Sequence, residues 1–301
     1  PAMGAYRALG TVANLYNSKL GAHVRFQALP TPFDVYTDGI ENPVFEEFGA
    51  GTEALHLEDV DARRQLMGAP GYQQMFRKQW TSKVAPRAYH RNLSEARIVS
   101  APDSSLDGRT FAEVAAQRGA DPLDTFLDLQ ATYGNDLRWY TVIANANPGH
   151  LQSIVSHPAA MIGFSDAGAH LRNMAFYNFP LRMLKRVRDA ELAGAPFMSV
   201  QQAVHKLTAD IADFHRIDAG RLAVGKRADV VVIDPERLDD SVEEVHEQQM
   251  VGFGDLDRLV RRNDDTVRAV LVNGRVAWRG GIPAADLGTA KHYGQFLPLG
   301  G

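Results

Sequence analysis

Apolar and polar positions alternate along the chain in a way that predicts a run of helices and short strands, followed by a β-rich end. In residues 6–20, Leu9, Val12, Ala13, Leu15 and Tyr16 recur at helical spacing, and Gly21 stands where a C-cap glycine belongs. Residues 23–29 alternate like a strand and break at Pro30 and Pro32. A long irregular stretch is expected next, punctuated by Asp38-Gly39 and Gly49-Ala50-Gly51, and then a polar-faced helix over 58–67. Thr110 with Glu113 forms a capping box for a helix closed by Gly119. Asp121-Pro122 opens another, with Leu123, Phe126, Leu127 and Gln130 on one face. Residues 139–145 are rich in β-branched and aromatic side chains, Asn147-Pro148 starts a helix through Ser156, and 160–164 is an apolar run of strand length. That order of strand, helix and strand predicts a βαβ unit in a parallel sheet.

Residues 179–192 pattern as an amphipathic helix whose basic face (Arg182, Lys185, Arg186, Arg188) is expected to lie in solvent. Ser199 and Gln202 cap a helix expected to carry Val204, Leu207, Ile211 and Phe214 into the core. The pattern then changes: a glycine-marked turn leads into the apolar strand 230–233, and residues 267–278 read as a hairpin around Asn273-Gly274.

Composition narrows the class without choosing a function. At 301 residues and 45% hydrophobic, the chain can bury a large core. A net charge of −4 with both signs dispersed argues against a nucleic-acid or anionic-membrane surface and points to small-molecule partners. There is no cysteine, so any metal must be held by histidine and carboxylate. The same absence, with no signal peptide or long apolar run, fits a cytoplasmic protein. The first residue is proline, and the chain is expected to be a piece of something longer.

Chemistry concentrates in Ala160-Met161-Ile162-Gly163-Phe164-Ser165-Asp166-Ala167-Gly168-Ala169-His170, where a strand would present a carboxylate and an imidazole at its carboxyl end. Asp166 there could bind a cation and shuttle a proton. Gly163-Phe164-Ser165-Asp166-Ala167 also approaches a nucleophile elbow, which would make Ser165 the nucleophile of an α/β-hydrolase, and the plainest reading is a cap for the next segment. Spacing alone leaves these open. No two of the ten histidines are separated by one residue, so a His-X-His metal pair is missing, and His246-Glu247-Gln248-Gln249-Met250 lacks the second histidine of a zincin helix.

The end of the chain carries a resemblance. Gly220-Arg221-Leu222, then 225–234 with its Ala228-Asp229-Val230-Val231-Val232 run, then Val270-Leu271-Val272-Asn273-Gly274-Arg275-Val276, resembles the closing strands of the amidohydrolase superfamily. Through 163–170, Val204-His205-Lys206-Leu207-Thr208 and the helix pair at 111–115 and 121–124, it is most similar to the N-acyl-D-amino-acid deacylase (D-aminoacylase) group. The resemblance implies an α/β fold: residues 1–215 as the C-terminal portion of a (β/α)₈ TIM barrel and 216–301 as the return to a small β-sandwich domain. It implies a zinc-dependent hydrolase, with one or two ions, that deacylates an N-acyl amino acid. Asp166 would be metal ligand and catalytic acid and base, with His170 and Arg172 binding substrate. The family's other ligands come from its N-terminal half, so this chain is expected to be the C-terminal half. Its partner would be that N-terminal portion, and homo-oligomerisation is left open. A cyclic amidase of the hydantoinase or dihydroorotase kind, a Ser165 hydrolase and a catalytically silent remnant are the alternatives.

Overall fold

Residues 5–84, 87–166, 168–252, 254 and 256–299 are described by the computed structural model of the chain, which is a mixed α/β fold. Its first elements are α1 (Ala5–Leu20), followed by Gly21 at φ +62°, and the two-residue strand β1 (Phe26–Gln27). The chain divides into two units. One comprises Pro1–Tyr6, Pro32–Asn147 and His170–Met174; the other comprises Arg7–Thr31, Pro148–Ala169 and Ala175–Gly301.

In the first unit, the stretch after Pro32 is ordered rather than irregular. It forms β2 (Phe33–Asp38), a 3₁₀ turn (Pro43–Glu47) and α2 (Gly49–Leu55). Glycines that read as loop punctuation are packing residues: a Cβ on Gly51 would lie 2.1 Å from the Phe45 carbonyl oxygen, so only hydrogen fits. Next come α3 (Val60–Gly68), α4 (Pro70–Thr81), β3 (Arg97–Ser100), α5 (Phe111–Arg118), α6 (Pro122–Tyr133) and β4 (Arg138–Ala144).

The expected caps are present. Thr110 Oγ1 accepts from the Glu113 N–H at 3.2 Å while Glu113 accepts from the Thr110 N–H at 2.7 Å, and Asp121 accepts from the Leu123 N–H at 2.9 Å. Strand β4 lies between β2 and β3, antiparallel to both. Against this sheet the helices bury an aromatic cluster. The Phe126 ring lies 5.1 Å from Phe111, 5.6 Å from Trp139, 5.9 Å from Trp80 and 6.0 Å from Phe45. Trp139 satisfies its indole N–H on the Gly39 carbonyl at 2.7 Å, so its burial leaves no orphaned donor.

In the second unit, α7 (Pro148–Ser156) leads to β5 (Ala160–Met161), which pairs in parallel with β1, Phe26 opposite Ala160. The expected βαβ unit is therefore not built from its expected members. β4 belongs to the antiparallel sheet of the first unit, and the parallel partner of β5 precedes the 32–147 segment of that unit in sequence. Chain order predicts strand neighbours only when no folded segment intervenes. β5 is also shorter than the apolar run 160–164, since among the described residues it has a strand on one side alone.

Helix α8 (Phe179–Leu192) covers the expected span, but its basic face is not a solvated surface: Arg182 is 4% exposed, and Lys185 and Arg186 are half-buried. The capped helix after Ser199 breaks at Thr208 into α9 (Val200–Leu207) and α10 (Ala209–His215). The break turns Ala203, Ala209 and Ala212 inward and leaves Val204 and Phe214, expected in the core, 43% and 38% exposed. Gly220, at φ +76°, passes this break so closely that a Cβ would meet the Thr208 carbonyl carbon at 2.8 Å.

The rest is β6 (Val230–Ile233), β7 (His246–Gln249), β8 (Asp257–Val260), β9 (Val267–Val272), β10 (Arg275–Arg279) and β11 (Ile282–Pro283). Strands β11, β10, β9 and β6 form one antiparallel sheet in that order. The β9–β10 hairpin turns through Asn273 and Gly274, both at positive φ, as its Asn-Gly predicts. His246 lies on a strand, which sets aside any zincin helix there. Among the described residues no helix is long and apolar enough to cross a membrane.

Candidate functional site

The register of β1 and β5 fixes the start of the segment that carries Asp166. Phe26 N–H donates to the Ala159 carbonyl at 3.0 Å and Ala28 N–H to the Met161 carbonyl at 3.1 Å, which hold Ile162, fully buried, in line beyond β5. The chain then leaves the core through half-buried Phe164, Ser165 and Asp166. Asp166 is at φ +50°, in the left-handed region that aspartate and asparagine tolerate better than other side-chain-bearing residues. Its carbonyl accepts from the Ala169 N–H at 3.3 Å; Ala167, between them, lies outside the described residues. Non-glycine residues in this conformation cluster where a chain is shaped for function. The unusual backbone falls on Asp166 and not on Ser165, and the described residues after it form turns rather than a helix, which disfavours an elbow at Ser165.

Sequence reasoning missed the lysine beneath this segment. Lys206, on α9, donates to the His157 carbonyl at 3.2 Å and the Ala160 carbonyl at 3.1 Å, gripping the backbone that enters β5. Burial pushes its ammonium below the ordinary lysine pKa. The available signal was a lysine set between Val204 and Leu207 on an otherwise amphipathic helix.

His157 packs its ring 5.3 Å from Phe26 and receives the Ala159 N–H on Nδ1 at 3.1 Å. Burial, with Lys206 adding repulsion, lowers its pKa below the ordinary 6.5. The folded protein therefore favours neutral His157, and the unfolded chain takes up the proton first. Stability from this site is fully present above about pH 6.5 and is lost as pH falls through the window toward the lowered native value. Unfolding midpoints recorded from about pH 8 to about pH 5 should decline over the acidic part for the wild type, and His157→Gln should flatten that decline. Parallel profiles would remove His157 as the cause.

Within the first unit, residues 170–174 are seated on β2. His170 is exposed and at φ +47°. Arg172 Nε donates to Asp38 Oδ2 at 2.7 Å and its Nη2 reaches Oδ1 at 3.4 Å. Arg138 donates to Asp38 Oδ1 at 2.5 Å and to the Arg172 carbonyl at 3.1 Å, while Asn173 Nδ2 donates to the carbonyls of Tyr36 and Glu41. The carboxylate that Arg172 holds here is thus Asp38, a residue read from sequence only as part of an Asp-Gly turn. His23 is exposed ahead of β1.

Among the described residues no group of three or more histidine, aspartate or glutamate side chains is placed to hold an ion, and a catalytic zinc takes about three protein ligands.

A family model described as the amidohydrolase family matches residues 53–277. An uncharacterized protein of Mycobacterium tuberculosis is 49% identical over 279 residues, which cover 92% of this chain and 46% of that protein. N-acyl-D-glutamate deacylase of Alcaligenes xylosoxydans xylosoxydans is 32% identical over 155 residues, 49% of this chain and 29% of that enzyme. Among solved structures, N-acyl-D-glutamate deacylase from Bordetella bronchiseptica, complexed with zinc and a phosphonate inhibitor, aligns at TM-score 0.47 and 22% identity, over 96% of this chain and 46% of that one. The chain spans about half the length of the curated relatives that match most of it, 46% in each case.

Proposed function

Because this chain belongs to the amidohydrolase family, we propose that the protein it comes from is a metal-dependent hydrolase that cleaves the amide bond of an N-acyl amino acid. Asp166 carries the reading: a carboxylate presented just beyond a parallel strand pair, on backbone held in an uncommon conformation. In this reading β1 and β5 are neighbouring strands of a (β/α)₈ barrel, whose portion here is residues 1–215. Residues 216–301 are the return to a small β-sandwich, to which the antiparallel sheet of β6, β9, β10 and β11 belongs. The N-terminal portion of the protein supplies the other metal ligands and zinc is the ion, in a cytoplasmic enzyme.

The reaction needs a group that moves one proton twice. Asp166 takes a proton from the attacking water as its oxygen bonds to the amide carbonyl carbon. It then delivers that proton to the departing nitrogen as the carbon–nitrogen bond breaks, which regenerates the carboxylate and releases the free amine. His170 and Arg172, by the resemblance, bind the substrate. For Arg172 this means exchanging its Asp38 carboxylate for the substrate's, a swap between chemically equivalent partners.

The test is metal removal from the whole protein, assayed on paired D and L N-acyl amino acids, with a hydantoin as the cyclic-amide control. Exhaustive chelation should abolish deacylation and zinc should restore it. Activity indifferent to chelation but lost to a serine-reactive phosphonate would overturn the proposal in favour of Ser165.

A further inference from the structure

On α8, Lys185 and Arg186 stand three and four positions after Arg182, and four and three before Asp189, so all four border one face. That face is a charge network. Arg182 Nε lies 2.5 Å from Glu243 Oε2, and Arg261, also buried, comes within 3.8 Å of the same oxygen. Lys185 Nζ pairs with Asp189 at 2.6 Å and with Asp240 at 2.8 Å. Each carboxylate therefore already has a cation.

Arg186 differs from its neighbours. Where Arg182 and Lys185 hold ion pairs, Arg186 has none among the described residues, and its Nε is buried with no hydrogen-bond partner. Burial depresses its pKa from the ordinary arginine value, and the attraction of Glu243 and Asp189 does not restore it. A guanidinium nitrogen taken out of water without an acceptor is destabilising, and native proteins rarely leave one so. Beside it opens a cavity of about 290 Å³ lined by Gln152, Lys185, Arg186, Asp189, Ala190 and Glu243. That is just under the range of drug-sized sites, roughly 300–1,000 Å³.

We propose that this cavity is a binding site for a small oxyanion, a carboxylate or phosphate group, received by the Arg186 guanidinium with Gln152 as a neutral donor. A planar fork that lacks a partner selects two coplanar oxygens over a spherical ion. Asp189 and Glu243 face the same space, and because Lys185, Arg182 and Arg261 hold them, they limit the site to one anionic head rather than exclude it. None of these residues belongs to the segment of Asp166, so the proposal stands independently of the hydrolase reading.

The experiment uses the whole protein in oxyanion-free buffer, titrated calorimetrically with sodium acetate and, separately, with inorganic phosphate, each against sodium chloride at equal ionic strength. Saturable uptake of one equivalent of either, weakened at least about tenfold in Arg186→Gln, is expected; the tighter ligand identifies the head group. In the wild type the same anion should slow modification of Arg186 by phenylglyoxal, read by peptide mass, so the test does not depend on the variant folding. No uptake beyond chloride, equal uptake by R186Q, or unprotected Arg186 overturns the site.

Discussion

Asp166→Asn, introduced into the whole protein, is expected to lower kcat for N-acyl amino acid hydrolysis by about 10²–10⁴-fold, the range that positioned acid–base groups contribute, while leaving the unfolding midpoint unchanged. The substitution isolates chemistry from folding. Asparagine enters the left-handed region about as readily as aspartate, so the backbone at φ +50° is kept, and the side chain retains its shape and one carbonyl acceptor. What it loses is the carboxylate charge offered to the metal and the ability to take a proton from water and return it to nitrogen. Steady-state kinetics on purified protein with matched circular dichroism decide the matter, and a variant that keeps more than about a tenth of wild-type kcat removes Asp166 from the reaction.

Phe126→Ala is expected to destabilise the first unit by about 3–5 kcal/mol. Phe126 is fully buried with four aromatic rings around it, two of them in edge-on contact, and surroundings this dense cannot collapse into the vacated volume. Trp80 and Trp139 stand beside the site, so denaturant titration followed by tryptophan fluorescence reads this unit once Trp278 is replaced by phenylalanine. Phe214→Ala, at a position 38% exposed, is the comparison and should change stability by less than about 1 kcal/mol. Equal effects at the two positions would contradict the placement of the core.

What the sequence disclosed and what it concealed separate by range. The Thr110–Glu113 box, the Asp121 cap, the Asn273-Gly274 turn and the span of α8 are encoded within a few residues, and the structure has each of them. Strand partners are not so encoded. β4 has the composition of any half-buried strand, and nothing local says that it joins β2 and β3 instead of β5. The basic stripe of α8 looked solvated because its counter-charges, Asp240, Glu243 and the carbonyl of Leu238, arrive from a turn some fifty positions later. For the candidate site, resemblance singled out Asp166, His170 and Arg172. Lys206, which holds the backbone entering β5, and Asp38, which holds the Arg172 side chain, were hidden because each works through contacts distant in sequence.

The pairing of β1 with β5 has a kinetic consequence. Arg25 and Pro158, which hydrogen-bond beside that pair, are 133 positions apart, and nearly all the chain between them belongs to the other unit. An unfolded connection of that length carries a closure entropy and raises the contact order of the second unit, which slows its formation. The segment 32–147 has its own aromatic core and mostly local helices, so it can condense first and shorten the effective tether between β1 and β5. During synthesis, the strand leading to Asp166 would then be assembled late, against a partner that left the ribosome long before it.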